Sequence, residues 1–275
     1  MFSFKELLKS KNRPLIMGIL NITPDSFSDG GEAFSLENVA RKVKELCDSG
    51  ADIIDVGACS TAPGNEIVSE DEEIERLKQF LPLVVEHSSV PVSVDTFRPG
   101  VAKICLEYGV DIINDESGVF KEEMAQLAKD TGCGWIVMHT GGKSSDDNCE
   151  YRDGVVTDVS NFFEYIKNKT GGFSISEEQL CYDCGVGFGK SRQDDLTLLS
   201  RCSELCEKYP LLVGVSRKRI VGEITGKSNP KERVFGSVAV AALLVQKGVS
   251  VLRVHDVNET LDAIKISEAI RRGVL

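Results

Sequence analysis

The chain has 275 residues, of which 41% are hydrophobic and 27% are charged, and its formal net charge is −11 at pH 7. This composition is typical of a globular protein with a sizeable core, and we expect residues 1–275 to form one domain. The acidic balance argues against nucleic acid or an anionic membrane as a general partner. It leaves room for a local basic pocket, which Arg217, Lys218, Arg219 and Arg253 would supply.

The sequence predicts a cytoplasmic protein. The opening segment, MFSFKELLKSKNRP, has neither the long apolar core nor the cleavage site of a signal peptide. The longest apolar run, 238–245, is much shorter than the ~20 residues of a membrane span. Nine cysteines without an export signal are typical of reduced, buried thiols. Cys181-x-x-Cys184, followed by Cys202 and Cys206, leaves a structural zinc site as a minor alternative.

Apolar runs of strand length alternate with stretches of helical spacing eight times along the chain. The strands are predicted near residues 15–20, 52–56, 91–94, 111–113, 134–138, 180–182, 211–215 and 249–253. Most are rich in valine and isoleucine, as expected of parallel strands that are buried on both faces. Eight strand-then-helix units predict the α/β class and a (β/α)8 TIM barrel.

The predicted helices carry ordinary start and stop signals. Ser69, with Glu72 three residues later, predicts a capping box, and Gly50 is placed where the helix that follows Ser35 should end. The other helices are expected near 100–108, 121–131, 158–168, 194–208, 233–247 and 257–271.

A polar residue stands at or just beyond the end of every predicted strand. These residues are Asn21, Ser60, Asp95, Asn114, His139, Asp183, Lys218 and His255. Since all strands of such a barrel run parallel, their carboxyl ends gather on one rim, where the active sites of this fold are built. Two long connections, 21–34 and 58–69, lie on the same rim and are predicted to be functional loops.

Four of these polar residues have the chemistry to bind a flat heterocycle. Asp95, Asn114, Asp183 and Lys218 provide two carboxylates, a carboxamide and an ammonium, which suit several N–H donors and a carbonyl acceptor. A buried carboxylate is costly unless it is paired or meets donors on a ligand. The alternative is that Asp183 and Lys218 only neutralise each other.

Two further segments suggest how an anionic group would be held. The glycine-rich segment 185–190 lacks the spacing of a Walker or a Rossmann fingerprint, so it is interpreted as a tight strand-to-helix turn that brings Phe188 near the pocket. Arg253 and His255 end the last strand, close to where barrels often bind phosphate, and they suit a pyrophosphate. A surface pair without a ligand is the alternative for these two residues.

Taken together, these segments resemble the dihydropteroate synthase family. The resemblance is carried by MGILNITPDSFSDGG (17–31), DVGACSTAPG (55–64), VSVDT (92–96), IINDESG (112–118), DCGVGFGK (183–190), VGVSRKRIVG (213–222) and LRVHDV (252–257). It spans nearly the whole chain. It implies an enzyme that joins 6-hydroxymethyl-7,8-dihydropterin pyrophosphate to 4-aminobenzoate and releases pyrophosphate and 7,8-dihydropteroate, on the route to folate.

The resemblance also implies a role for each matching residue. Lys218, Asp95, Asp183 and Asp25 are expected to be catalytic. The pterin would be bound by Asp95, Asn114, Met138, Asp183, Phe188, Gly214 and Lys218. The aminobenzoate would be bound by Phe27, Ser60, Thr61, Pro63 and Arg219, with Phe188 beside it. The pyrophosphate would be bound by Asn21, Arg253 and His255, with a Mg2+ ion close to Asn21. The family further suggests a homodimer.

The implied chemistry needs little from a general base. Loss of pyrophosphate leaves a cationic methylene on the pterin, which the amine of aminobenzoate attacks. Arg253, His255 and Mg2+ would stabilise the leaving group, while Asp95 and Asp183 would favour the cation.

This chain departs from the family pattern at four positions. Cys59 and Ala62 stand where an acidic residue and an arginine are usual, Cys184 replaces a proline, and Arg219 replaces a serine. We hypothesise that Arg219 supplies the positive charge that Ala62 lacks and binds the benzoate carboxylate.

Two other functions share the pterin contacts. A methyltetrahydrofolate-dependent corrinoid methyltransferase would have no use for Arg253, His255 or the TPDSF loop. A non-catalytic pterin-binding homologue would bind the pterin pyrophosphate without forming product.

Overall fold

The computed structural model describes residues 1–22, 36–59, 68–141 and 149–274. Eight parallel strands close into one barrel in chain order, and the first strand pairs with both the second and the last. The strands are β1 (Leu15–Asn21), β2 (Ile53–Gly57), β3 (Val92–Asp95), β4 (Ile112–Asp115), β5 (Gly134–Met138), β6 (Leu180–Asp183), β7 (Leu211–Val213) and β8 (Val251–Val254). The predicted (β/α)8 barrel is confirmed.

Helices surround the barrel. They are α1 (Phe4–Lys11), α2 (Leu36–Asp48), α3 (Glu70–His87), α4 (Pro99–Glu107), α5 (Glu122–Thr131), α6 (Val155–Gly172), α7 (Arg192–Arg201), α8 (Ser203–Cys206), α9 (Arg219–Thr225), α10 (Val234–Gln246) and α11 (Val257–Arg272). Short 3-10 helices span Glu177–Gln179 and Pro230–Arg233. Among the helices of the four described ranges, none is both long enough and apolar enough to cross a membrane.

The start and stop signals act largely as predicted. Ser69 Oγ accepts a hydrogen bond from the Glu72 backbone N–H at 3.2 Å, which caps α3. The reciprocal half of the predicted capping box is wrong, because the Glu72 carboxylate instead pairs with Arg76 at 2.6 Å. Gly50, with φ of 95°, follows the end of α2 as expected.

Three helical segments differ from the prediction. The eight-residue helix α1 was not predicted; its Phe4 is 1% exposed and packs with Leu15 and Met17 at the amino-terminal end of the barrel. The predicted helix 194–208 is two helices, α7 and α8, with Cys202 between them. The short helix α9 was also not predicted.

The cysteines are thiols and do not form a metal site in the described structure. All nine are free, and Cys181, Cys184 and Cys202 are buried among apolar side chains. Within the described ranges no group of three or more His, Cys, Asp or Glu side chains is arranged to hold a metal. The zinc alternative therefore has no support there.

The apolar core forms two layers that determine where a site can lie. One layer fills the space between strands and helices and includes Phe80, Trp135 and Phe163. The other is a cluster, closed from below by α1, of the strand residues Leu15, Met17, Ile53, Ile112, Ile136, Cys181, Leu212 and Val251. Because this cluster fills the amino-terminal half of the barrel, polar side chains can collect only above it, at the carboxyl-terminal rim.

Candidate active site

A cavity of about 490 Å3 opens at the carboxyl-terminal rim of the barrel. Of the residues predicted for the site, those that line it are Asn21, Asp95, Phe188, Lys218, Arg219, Arg253 and His255. Asn114, Met138 and Asp183 lie just below, with exposures of 2%, 2% and 8%. Asp25, Phe27, Ser60, Thr61, Pro63 and Ala62 lie outside the described residues.

The alternation of side chains along each strand explains why these groups converge. Successive strand residues point to opposite faces, so a residue two positions after an interior residue is itself interior. Seven residues outside the inner apolar cluster stand two positions after one of its members: Ile19, Asp55, Asn114, Met138, Asp183, Gly214 and Arg253. Asp95 is aligned with Asn114 in the β3–β4 register, which brings these two neighbours to the same level of the barrel.

A buried acidic network centred on Asp55 forms the floor of the cavity. Asp55 is 0% exposed, and its Oδ2 atom accepts from Asn114 Nδ2 at 3.1 Å and from Arg253 Nε at 2.6 Å. Arg253 Nη2 donates to Asp95 Oδ2 at 2.5 Å, and Arg253 Nη1 lies 4.0 Å from Glu116 Oε1. The guanidinium therefore neutralises a group of buried carboxylates, as burial of those charges requires.

This network changes the interpretation of Arg253. The sequence predicts an arginine fork that faces a pyrophosphate, whereas its donors point into the acidic network beside two predicted pterin residues, Asp95 and Asn114. Sequence reasoning missed Asp55 and Glu116. The signal for Asp55 was present, since it is a lone carboxylate inside the otherwise apolar strand β2.

Burial and charge set the protonation of the acids. Desolvation, together with the nearby Glu116 carboxylate, raises the pKa of Asp95 well above its usual range, although the Arg253 charge opposes this. Burial also raises the pKa of Asp183, against the effect of the Lys218 charge. Burial lowers the pKa of Lys218. The pocket can therefore hold a carboxyl that donates as well as carboxylates that accept.

Lys218 and Asp183 do not form a simple mutual pair. Lys218 Nζ donates to the Val186 carbonyl at 2.5 Å and lies 4.7 Å from the centre of the Phe188 ring. Asp183 Oδ1 accepts from the Gly185 backbone N–H at 2.7 Å. Both side chains thus make their hydrogen bonds to the backbone of the β6–α7 loop, while each charge still stabilises the other across the pocket.

The β6–α7 loop is a tight turn, as predicted from its glycines. Gly185, Gly187 and Gly189 all have positive φ, at 64°, 85° and 60°. An added Cβ at Gly185 would overlap the His139 carbonyl oxygen, and one at Gly189 would overlap the Thr140 carbonyl oxygen. Only glycine meets both requirements, so the loop can lie directly against the end of β5.

Two charged side chains, Lys190 and Asp195, fix the backbone of this loop. Lys190, 3% exposed, donates from Nζ to the carbonyls of His139 and Phe188, both at 2.9 Å, and burial lowers its pKa to about 8. Asp195 Oδ1 accepts from the Gly187 N–H at 2.7 Å. These contacts fix the backbone that presents Phe188 to the cavity.

The two histidines predicted at the rim have different environments. His255 is exposed at the mouth, and its Nδ1 lies 3.1 Å from Ser216 Oγ; partial desolvation of its ring and the Arg217 charge lower its pKa to about 4. His139 is 2% exposed and its Nε2 lies 2.8 Å from Asp158 Oδ1 on α6. His139 therefore follows β5 at the rim, but its ring lies between β5 and α6 and does not line the cavity.

The remaining predicted residues are close to the cavity wall. Gly214 follows β7, and an added Cβ there would lie 3.7 Å from Arg253 Cβ and 4.0 Å from Lys218 Nζ. Arg219 is exposed at the start of α9 and lines the mouth of the cavity. Cys59, which follows β2, also lines it. Cys184, which stands where the family usually has a proline, is fully buried and does not line the cavity.

Comparison with known proteins identifies the family. A family model described as pterin binding enzyme matches residues 17–255. The dihydropteroate synthase of Synechocystis sp. is 38% identical over 264 residues, which cover 94% of this chain and 91% of that protein.

Two solved structures of Xanthomonas albilineans dihydropteroate synthase have the same fold. The one with 4-aminobenzoic acid matches with a TM-score of 0.88 at 38% identity and covers 94% of both chains. The one in complex with 7,8-dihydropteroate matches with a TM-score of 0.84 at 36% identity and covers 94% of both chains. The chain therefore belongs to the dihydropteroate synthase family of pterin binding enzymes.

Proposed function

We infer that this chain joins 6-hydroxymethyl-7,8-dihydropterin pyrophosphate to 4-aminobenzoate. The C–O bond between the pterin methylene and pyrophosphate breaks, a C–N bond to the amine forms, and the amine loses one proton. The products are 7,8-dihydropteroate and pyrophosphate. Family membership supports this reaction. The observation that carries it is the set of interior polar groups that five different strands place above the apolar cluster, namely Asp55, Asp95, Asn114, Asp183 and Arg253.

For the pterin, we propose that Asp95, Asn114, Asp183 and Lys218 bind the edge of the ring. The polar ring edge presents N–H donors to carboxylates and a carbonyl to the ammonium. Met138 and Gly214 would pack against its faces, and Phe188 would separate it from the second substrate. Excess carboxylate charge around the ring favours the cationic methylene that forms as pyrophosphate leaves.

For the pyrophosphate, we propose Asn21, Arg253 and His255. An arriving anion would compete with Asp55 and Asp95 for the Arg253 guanidinium, whose Nε and Nη2 they now occupy. His255 borders the same cavity, and its ring nitrogens can hydrogen-bond to the anion. Because Arg253 would return to Asp55 and Asp95 when pyrophosphate leaves, release of the leaving group changes the charge around the pterin.

The residues near Asn21 fit a Mg2+ ion. Gly57 has no side chain, and the position of its absent Cβ is 3.4 Å from Asn21 Oδ1 and 3.8 Å from Asp95 Oδ2, so two oxygen atoms flank a space that a larger residue would fill. Oxygen donors suit this hard cation, which commonly keeps waters and phosphate oxygens as its other ligands. When bound, the ion would supply positive charge to the pyrophosphate. We propose Asn21 as its protein ligand.

For aminobenzoate, we propose that Arg219 binds the carboxylate, together with Phe27, Ser60, Thr61 and Pro63, while Asp25 acts as a further catalytic group. The exposed position of Arg219 at the cavity mouth supports its part. Replacement Arg219→Ser should raise the KM for 4-aminobenzoate and leave the KM for the pterin substrate close to its original value. An unchanged aminobenzoate KM would refute this role.

The reaction is tested by a coupled assay for pyrophosphate release, run with and without 4-aminobenzoate. Release that depends on the amine, accompanied by dihydropteroate, is the expected result. Binding of the pterin pyrophosphate with no product would instead identify a non-catalytic pterin-binding protein. The variants Lys218→Ala and Asp183→Ala should abolish turnover, and chelation of Mg2+ should suppress it reversibly.

We also propose a cytoplasmic homodimer. All nine cysteines are free, which suits a reducing compartment. An apolar face on α10 and α11 exposes Phe235 (87%), Leu243 (62%), Ile266 (63%) and Ile270 (74%), which is unusual for a surface without a partner. Light scattering should report a dimer for the original chain and a monomer for Phe235→Lys, whereas Tyr165→Lys on α6 should remain dimeric.

A further inference from the structure

Arg217 has a backbone conformation that is uncommon for a residue with a side chain. Its φ is 60°, in the left-handed region, and it directly precedes Lys218, the N-cap of α9. Non-glycine residues adopt this conformation only where the surrounding structure imposes it, and such positions cluster at functional sites. The contacts of Arg217 therefore show what holds Lys218 in place.

The side chain of Arg217 is fixed by Asp256, which follows β8. Arg217 Nε donates to Asp256 Oδ2 at 3.0 Å, and Arg217 Nη2 donates to Asp256 Oδ1 at 2.5 Å. This is a bidentate pair, and the side chains are only 26% and 10% exposed. The geometry restricts the guanidinium more strongly than a single hydrogen bond would.

The backbone of Arg217 is fixed from a second direction by α10 and the segment before it. The Arg217 N–H donates to Ser237 Oγ at 2.9 Å, and the Arg217 carbonyl accepts from Arg233 Nη1 at 2.8 Å. Ser237 Oγ in turn donates to the Arg233 carbonyl at 2.8 Å. Both backbone polar groups and the side chain of Arg217 are thus engaged.

The same two loops are joined at the neighbouring pair of residues. Ser216 Oγ accepts from the His255 N–H at 3.2 Å and lies 3.1 Å from His255 Nδ1. One loop carries Lys218, and the other carries His255 two residues beyond Arg253. Contacts Ser216–His255 and Arg217–Asp256 therefore set the position of the ammonium relative to the imidazole.

We propose that Asp256 is a positioning residue: by holding Arg217 in the left-handed conformation, it aligns Lys218 with His255 so that the pterin and pyrophosphate parts of one substrate are bound together. Arg233 and Ser237 support the same conformation from the other side. This inference rests on the proposed function, because it takes Lys218 and His255 as contacts to the two ends of that substrate.

The first test uses Asp256→Asn, with Asp262→Asn as the matched control. Asp262 is on α11, the helix that begins directly after Asp256, and forms an exposed pair with Lys265 at 3.4 Å. For Asp256→Asn, kcat/KM for the pterin pyrophosphate should fall by about 10- to 100-fold, the range that small misplacements of binding groups produce. The KM for 4-aminobenzoate should change less, and the control should match the original protein.

The second test compares Arg217→Gly with Arg217→Ala. Both remove the ion pair, but glycine adopts positive φ without cost, whereas alanine does not. The glycine variant should therefore keep more activity than the alanine variant. The same order is expected for stability, so activity is compared under conditions in which urea denaturation shows both variants to be fully folded. Equal or reversed activities would overturn the proposal.

Hydrogen exchange separates this inference from the proposed function. In Asp256→Asn, the amides of residues 216–218 should exchange faster, while those of α1 should not change. Unchanged exchange at 216–218 would overturn the positioning role, whatever the reaction is. If the original protein forms no dihydropteroate but exchange accelerates as expected, the contact does restrain the loop and the proposed function is the part that fails.

Discussion

Arg253 Nε on β8 lies 2.6 Å from Asp55 Oδ2 on β2, so this ion pair crosses the barrel interior over the intervening strand β1. The same carboxylate oxygen accepts from Asn114 on β4. Three strands are thereby joined through one buried atom at the floor of the cavity. A contact of this kind supports both the closure of the barrel and the arrangement of the site.

Replacement Asp55→Ala should lower the free energy of unfolding by about 3 kcal/mol, because loss of one partner leaves buried charge without its full compensation. Urea denaturation measures this change. Asp262→Ala, at an exposed pair on α11, is the control and should cost less than about 1 kcal/mol. If the Asp55 variant is as stable as that control, the buried pair contributes little and Arg253 is satisfied by Asp95 alone.

Glycine at position 185 should be irreplaceable. Gly185→Ala would combine a positive φ with overlap between the new Cβ and the His139 carbonyl, so the β6–α7 loop must shift and pterin binding should weaken strongly. The matched control is Gly171→Ala near the end of α6, where nothing lies within 4 Å of the new Cβ. Calorimetric titration with the pterin substrate should separate the two variants. Equal affinities would mean that the loop does not position the binding groups.

The sequence was sufficient for the features that depend on local pattern. Asp95, Asn114 and Asp183 converge because each ends a strand on its interior face, and a period of two residues can be counted along a chain. The helix α1 does carry local signals, with Ser3 three residues before Glu6 at its start and Asn12 after its end, but these do not indicate where it packs. Its role depends on Phe4 reaching the far end of the barrel, which is a contact between distant parts of the chain.

The side chains of Arg253 and His139 show what local pattern leaves open, namely the direction in which a side chain points. An arginine after a strand can turn toward a ligand or toward buried carboxylates, and only the positions of Asp55 and Asp95 decide between these directions. His139 follows β5 as the other polar residues follow their strands. Its ring nevertheless packs near Tyr151 and Phe162 outside the barrel, because its place in the alternation is opposite to that of Met138.

Glu116 should control the acid side of the pH–rate profile. Its charge is among the causes that raise the pKa of Asp95, so Glu116→Gln should lower that pKa. If turnover needs the Asp95 carboxylate, activity should then persist to a lower pH. The measurement is kcat/KM for the pterin pyrophosphate as a function of pH, with Glu204→Gln, an exposed residue paired with Arg201, as the control. A shift of the acid limb to higher pH would contradict the assignment.

His139 should make the folded state sensitive to acid. Burial, together with the Lys190 charge, lowers its pKa from 6.5 to about 4 in the folded protein. The unfolded chain therefore binds a proton more readily than the folded protein does. As a result, the free energy of unfolding has its full value above pH 6.5 and decreases as the pH falls towards 4. At pH 4.5 this linkage costs about 2 to 3 kcal/mol relative to pH 7.

The variant His139→Phe removes this titration, and its ring suits an aromatic environment that includes Phe162. The difference in unfolding free energy between the original protein and the variant should therefore move in favour of the variant between pH 7 and pH 4.5. His87→Phe, at the exposed end of α3, should leave the pH dependence of the original protein in place. A difference that stays constant with pH would show that His139 is protonated equally in both states, and its contact with Asp158 would then be strong enough to offset the burial of the ring.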